Sequence, residues 1–132
     1  QVKAPKVYVR DTGLLHTLLG ITSRRDLENH PKVGASWEGY AVEEVLKALR
    51  PDEAYYWATY NGAELDLLLF KNGRRIGVEC KRADAPALTA SMRIALEDLN
   101  LNRLFIVYPG QKTYTLARSV EVVPLTKFVK AR

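Results

Sequence analysis

Asp66 sits inside the apolar run "LDLLLF", and Glu79 and Lys81 flank Cys80 in "GVECK". Buried strands do not ordinarily keep carboxylates, because a charge taken out of water is costly unless it is paired. Two carboxylates brought together beside an ammonium could hold a divalent cation, since Mg²⁺ takes oxygen ligands and commonly uses one or two carboxylates plus water. Whether the acids meet depends on Asn72-Gly73, which lies between the two runs. That dipeptide is the strongest short-range signal for a two-residue type I′ turn. Lys71 then pairs with Arg74, and the same antiparallel register sets Asp66 opposite Glu79, with Cβ atoms about 4.5–5.5 Å apart. Lys81 shares their face, opposite Glu64. The other face collects Leu65, Leu67 and Leu69 with Ile76, Val78 and Cys80, and reads as core. Like charges directly opposite each other destabilise a sheet, so Mg²⁺ or Mn²⁺ between Asp66 and Glu79, helped by Lys81, is the expected compensation. The bland alternative is a solvated face carrying a Glu64–Lys81 pair and two tolerated acids. Leu68 and Phe70 lie on that face too, which favours a covering helix over open solvent.

The elements that must position these residues are legible around them. "GASWEGYAVEEVLKALR" is the clearest helix: Val42, Val45, Leu46 and Leu49 recur at helical spacing and Pro51 ends it. One turn back along that stripe is Glu38. If the helix starts near Ser36, Glu38 is a first-turn acid favoured by the helix dipole. If the helix packs on the acidic face of the hairpin, it delivers Glu38 close to Asp66. "EAYYWATY" reads as a strand in which the aromatics pack a sheet. Pro86 precedes a helix, "ALTASMRIALEDLNL", and "RLFIVY" is a strand stopped by Pro109. "KTYTLARSVEVVPL" is a strand-like tail and "TKFVKAR" a basic end. Upstream, "PKVYVRDTG" reads as a strand and turn, followed by two short helices that include or precede His16 and His30, neither read as a catalyst. The expected class is α/β, a central mixed β-sheet flanked by helices on both faces, in one domain spanning residues 1–132.

The bulk numbers are compatible with that. The chain has 132 residues, 47% hydrophobic and 27% charged, an ordinary globular balance. The single Cys80 makes no internal disulfide, no paired-cysteine zinc motif occurs, and a reducing cytoplasm is the expected compartment. No apolar run approaches the roughly 20 residues that span a bilayer. A net charge of +5 permits an anionic partner such as nucleic acid. Arg75, Arg82 and Arg93 are the candidate phosphate contacts, whereas Lys71 and Arg74 read better as solvated turn residues. The chain opens at Gln1 without an initiator Met, as expected of a piece of a larger protein.

A helical Glu38, a strand Asp66 and the Glu79-Cys80-Lys81 triplet together resemble the PD-(D/E)XK nuclease superfamily. "PKVYVRDTGLL", "GASWEGYAVEEVLKAL", "YYWAT..GAELDLLL" and "IGVECKRAD", in that order, look like a domain of unknown function that follows the ATPase module of many bacterial and archaeal AAA+-type proteins. The resemblance covers nearly the whole chain. It implies a restriction-endonuclease-like core, a DNA partner and an attached ATP-binding module, of which this chain holds no phosphate loop. It also implies roles. Asp66, Glu79 and the Cys80 carbonyl would hold Mg²⁺ or Mn²⁺, Glu38 would contribute directly or through water, and Lys81 would position the attacking water. Many members carry Gln and Tyr on the helix after the triplet; here that helix offers Arg93. The competing class is a silent nuclease-like module that docks a partner or regulates the ATPase.

Overall fold

The computed structural model describes residues 33–132. The strand and short helices expected before residue 33, with His16 and His30, lie outside the described residues. The first described element is a helix, α1 (Val33–Leu49), followed by three strands, β1 (Glu53–Ala58), β2 (Glu64–Lys71) and β3 (Arg74–Cys80). A second helix, α2 (Ala90–Asp98), leads to β4 (Arg103–Tyr108), a hairpin of β5 (Tyr114–Ala117) and β6 (Val120–Pro124), and a last helix, α3 (Leu125–Lys130). The six strands form one sheet in the order β1-β2-β3-β4-β6-β5. β3, β4 and β6 run parallel, and the remaining neighbours are antiparallel. This is the mixed α/β sheet that the alternation of apolar runs implies.

Helices cover both faces. Ala41, Val42, Val45 and Leu49 of α1 pack with Phe128 of α3 onto Leu67, Leu69, Val78, Cys80, Phe105 and Val107. Met92 and Ala95 of α2 pack on the opposite face, against Trp57, Leu65, Leu68, Leu104 and Ile106. Thr89 starts α2 by accepting the backbone N–H of Met92 at 3.2 Å. Gly77 lets the chain entering β4 press closely on β3, because a Cβ there would lie 2.7 Å from Leu101 Cδ1 and 2.9 Å from Leu104 Cδ1.

The hairpin turn is as expected. Asn72 and Gly73 both have positive φ, 52° and 76°, and the ladder runs from Lys71↔Arg74 to Leu67↔Val78. The tail differs from the reading of one strand: it folds back at Arg118–Ser119 into β5 and β6, without a Gly or Pro to mark the bend. "TKFVK" belongs to α3.

Candidate functional site

The alternation of β2 breaks at the acid. Between the pairs Tyr55↔Leu68 and Trp57↔Leu65, β1 advances two residues while β2 advances three. The extra residue is a bulge at Asp66–Leu67, and a bulge shifts which face the following side chains use. Leu67 and Leu69 therefore pack under α1, whereas Leu65 packs under α2. This corrects the expectation that Leu65, Leu67 and Leu69 form one core face.

At the bulge the β2–β3 ladder stops, and two carboxylates take over from it. Asp66 donates its backbone N–H to Glu79 Oε1 at 2.9 Å. Cys80 donates its backbone N–H to Asp66 Oδ2, also at 2.9 Å. Each acid thus supplies the acceptor that the other strand would have given. The two meet as the register foresaw, but through backbone amides rather than as a face-to-face pair in the ladder.

Lys81 and Glu38 complete the cluster. Lys81 Nζ lies 3.5 Å from Glu79 Oε2, so the lysine serves Glu79 and not Glu64. Glu38 Oε2 accepts the backbone N–H of Arg82 at 3.4 Å. The sequence reading brings Glu38 here on a helix packed over the acidic face of the hairpin, and the structure corrects that route. α1 packs on the Cys80 face and presents Glu38 at the end of β3. The chain is already helical from Val33, so Glu38 lies beyond a first helical turn, and a simple dipole explanation for it loses its basis. The cluster opens at the carboxyl ends of the parallel strands β3 and β4, where open α/β sheets hold their ligands.

The electrostatics follow from three carboxylates around one ammonium. Burial, then the charge of Asp66, pushes Glu79 up to about 8, although the Asp66 N–H and Lys81 work against the rise. Burial disfavours the Lys81 ammonium, but the charges of Glu79, Glu38 and Asp66 outweigh it and its pKa rises. Burial first, and the same carboxylates after it, push the Cys80 thiol well up, so this cysteine is no thiolate nucleophile.

Tyr56 and Glu64 adjoin the cluster and were not assigned from the sequence. Tyr56 donates its hydroxyl to Glu64 Oε1. Burial, the bond to Glu64 and the charges of Glu64, Asp66 and Glu79 push the phenol up to about 12, so it stays a donor at neutral pH. The sequence signal for Glu64 was its place two residues before Asp66; nothing marked Tyr56.

The arginines separate. Arg82 is at the cluster through its backbone. Arg75 sits beside the turn, four residues up β3 from Glu79 and about 13 Å away along the strand. Its N–H goes to Asn102 Oδ1. Arg93 lines a groove of about 360 Å³ with Leu88, Leu96, Leu101 and Arg118. Lys71 donates its ammonium to the Leu49 carbonyl at the end of α1.

Among the described residues no three His, Cys, Asp or Glu side chains converge on a ready-made metal cage. The donors on offer are the Asp66 and Glu79 carboxylates, both hard oxygen ligands with surplus negative charge around them. That composition fits Mg²⁺ or Mn²⁺, which keep several waters, better than a cation needing a full set of protein ligands. None of the described helices is long and apolar enough to cross a membrane.

The fold and cluster define an α/β domain with a carboxylate–lysine centre at the carboxyl ends of its parallel strands. Residues 33–128 match a family model described as a domain of unknown function, DUF4143, and the chain belongs to that family. It is 52% identical over 124 residues to an uncharacterized protein of Mycobacterium bovis, Mb2031c, and equally to one of Mycobacterium tuberculosis, Rv2008c. The match takes in 94% of this chain but 28% of the length of each relative.

Proposed function

We propose that this domain is a divalent-metal-dependent DNA nuclease of the PD-(D/E)XK type, with a restriction-endonuclease-like core. The observation that carries the reading is the reciprocal bonding of Asp66 and Glu79 across the broken ladder, with Lys81 at 3.5 Å and Glu38 beside them. Two partly buried acids brought this close carry a cost in charge and desolvation that a cation seated between them would offset. Asp66, Glu79 and the Cys80 carbonyl would hold the ion, with Glu38 acting directly or through water. When bound, such an ion would polarise a scissile phosphate and bring a water's pKa towards neutrality. Lys81, held by Glu79, would orient that water and stabilise charge gathering on the phosphate. Arg82, exposed at the mouth, would meet the DNA backbone, a salt-sensitive and sequence-independent contact. The extra length of the relatives leaves room for the ATP-binding module that the family resemblance implies, which we include in the proposal.

The same hydrogen bonds favour one second reading. Both carboxylates are already satisfied by backbone amides, as they would be in a module that had kept the fold for docking and lost the chemistry. DNA cleavage separates the two. The full-length protein is incubated with Mg²⁺ or Mn²⁺ and supercoiled, linear or single-stranded DNA. Cleavage by the wild type that is lost in Lys81→Ala is the expected result. Equal behaviour of the two proteins on every substrate removes catalysis from the account.

A further inference from the structure

Metal centres depend on groups that orient the ion's waters as much as on the ligands themselves. An ion held by two carboxylates keeps several waters, and each needs an acceptor outside the first set of ligands. Glu38 is one candidate acceptor, and the resemblance already accounts for it. Glu64 is another, and nothing in the sequence reading gave it a role beyond a surface pair with Lys81.

Lys81 is engaged by Glu79, so the surface pair does not form. Glu64 precedes Asp66 by two residues on β2, about 7 Å along the strand, and side chains two apart share a face. Its carboxylate is tied to the hydroxyl of Tyr56 on the neighbouring strand. Tyr56 is the residue that faces the Asp66–Leu67 bulge, so the bulge that aims Asp66 at Cys80 also places the phenol beside the same opening. Glu64 is exposed, a position where a free glutamate would sample many rotamers. One hydrogen bond from a half-buried phenol holds it instead.

We infer that Glu64 is an outer acceptor for water on the ion bound by Asp66 and Glu79, and that Tyr56 is the positioning residue that fixes it there. The inference rests on the metal reading above and extends it to a second pair of residues. Glu64 accepts from water and does not touch the ion. Tyr56 acts only through Glu64, so its effect vanishes once Glu64 cannot accept with a full charge.

Calorimetric titration of Mn²⁺ into the full chain tests this without any turnover. Glu64→Gln is expected to weaken the Asp66-dependent binding about 10- to 100-fold, and Tyr56→Phe by about 10-fold or less. Glu64→Gln with Tyr56→Phe should bind no more weakly than Glu64→Gln alone, a non-additivity that a merely structural role would not produce. If Asp66→Asn abolishes binding while Glu64→Gln and Tyr56→Phe stay within about twofold of wild type, the centre stands and this inference falls. If the wild type shows no Asp66-dependent binding, both fall together.

Discussion

At the closed end of the β2–β3 hairpin, Asn72 and Gly73 turn the chain at positive φ and the backbone pairs regularly from Lys71↔Arg74 onwards. At the open end the ladder stops after Leu67↔Val78, and the amides of Asp66 and Cys80 bond to carboxylates instead. The closed end is ordinary sheet, exposed and basic. The open end is partly buried, acidic and irregular, and its irregularity is what frees Asp66 from the core. The contrast separates two uses of one hairpin. Backbone pairing sets the register, and the break in that pairing gathers the carboxylates.

The largest effect that sharpens this contrast is a pH dependence confined to the open end. Glu79 has a pKa near 8 in the folded chain against 4.5 as its ordinary value. Below about pH 4.5 it is protonated in both the folded and unfolded states. Above that the unfolded chain gives up the proton while the folded one keeps it, so folding stability falls as pH rises towards 8. Chemical denaturation in the presence of a chelator should show a loss on the order of a few kcal/mol across that window. Glu79→Gln should flatten the profile, and an unchanged slope in that variant would assign the effect elsewhere.

A somewhat smaller difference separates Asp66→Ala from Asp66→Asn. Both remove the charge, but only Asn leaves an acceptor for the Cys80 N–H. The Ala variant should be less stable by about 1–3 kcal/mol, the cost of an unsatisfied buried donor. At the closed end Arg74→Ala should stay within about 0.5 kcal/mol of wild type. Equal stability of the two Asp66 variants would mean that the bond to Cys80 carries little.

Gly73→Ala tests the turn itself. Open space surrounds the position, so only its φ of +76° resists a side chain, and the expected loss is about 1–2 kcal/mol. The smallest effect belongs to Lys71→Met, which removes the ammonium from the Leu49 carbonyl at the end of α1. A loss of about 0.3–1 kcal/mol, seen as a modest drop in the melting temperature, fits a cation at a helix C-terminus.

The same contrast explains what could be read in advance. Asn72-Gly73 states its turn type chemically, since few other residues tolerate positive φ at two successive positions. From that turn alone the register and the meeting of Asp66 with Glu79 followed. The bulge had no such marker. Leu65, Leu67 and Leu69 alternate as a regular strand would, and the extra residue shows only in how β2 pairs with β1. The stripe of α1 told that one face of the helix is buried, but a stripe does not say which face of a sheet covers it. Both faces of this sheet are apolar, so α1 could be assigned to the wrong one while Glu38 still arrived at the site. The fold-back at Arg118–Ser119 has only a serine and no Gly, Pro, Asn or Asp to mark it, and apolar residues continue on both sides.

The proposed nuclease function requires a divalent ion seated between Asp66 and Glu79, and diffraction from Mn²⁺-soaked crystals, recorded for its anomalous signal, tests that directly. An anomalous peak within coordination distance of both carboxylates, absent from Asp66→Asn crystals soaked alike, is the predicted result. No peak there under saturating Mn²⁺, or the same peak in the Asp66→Asn crystals, would contradict it.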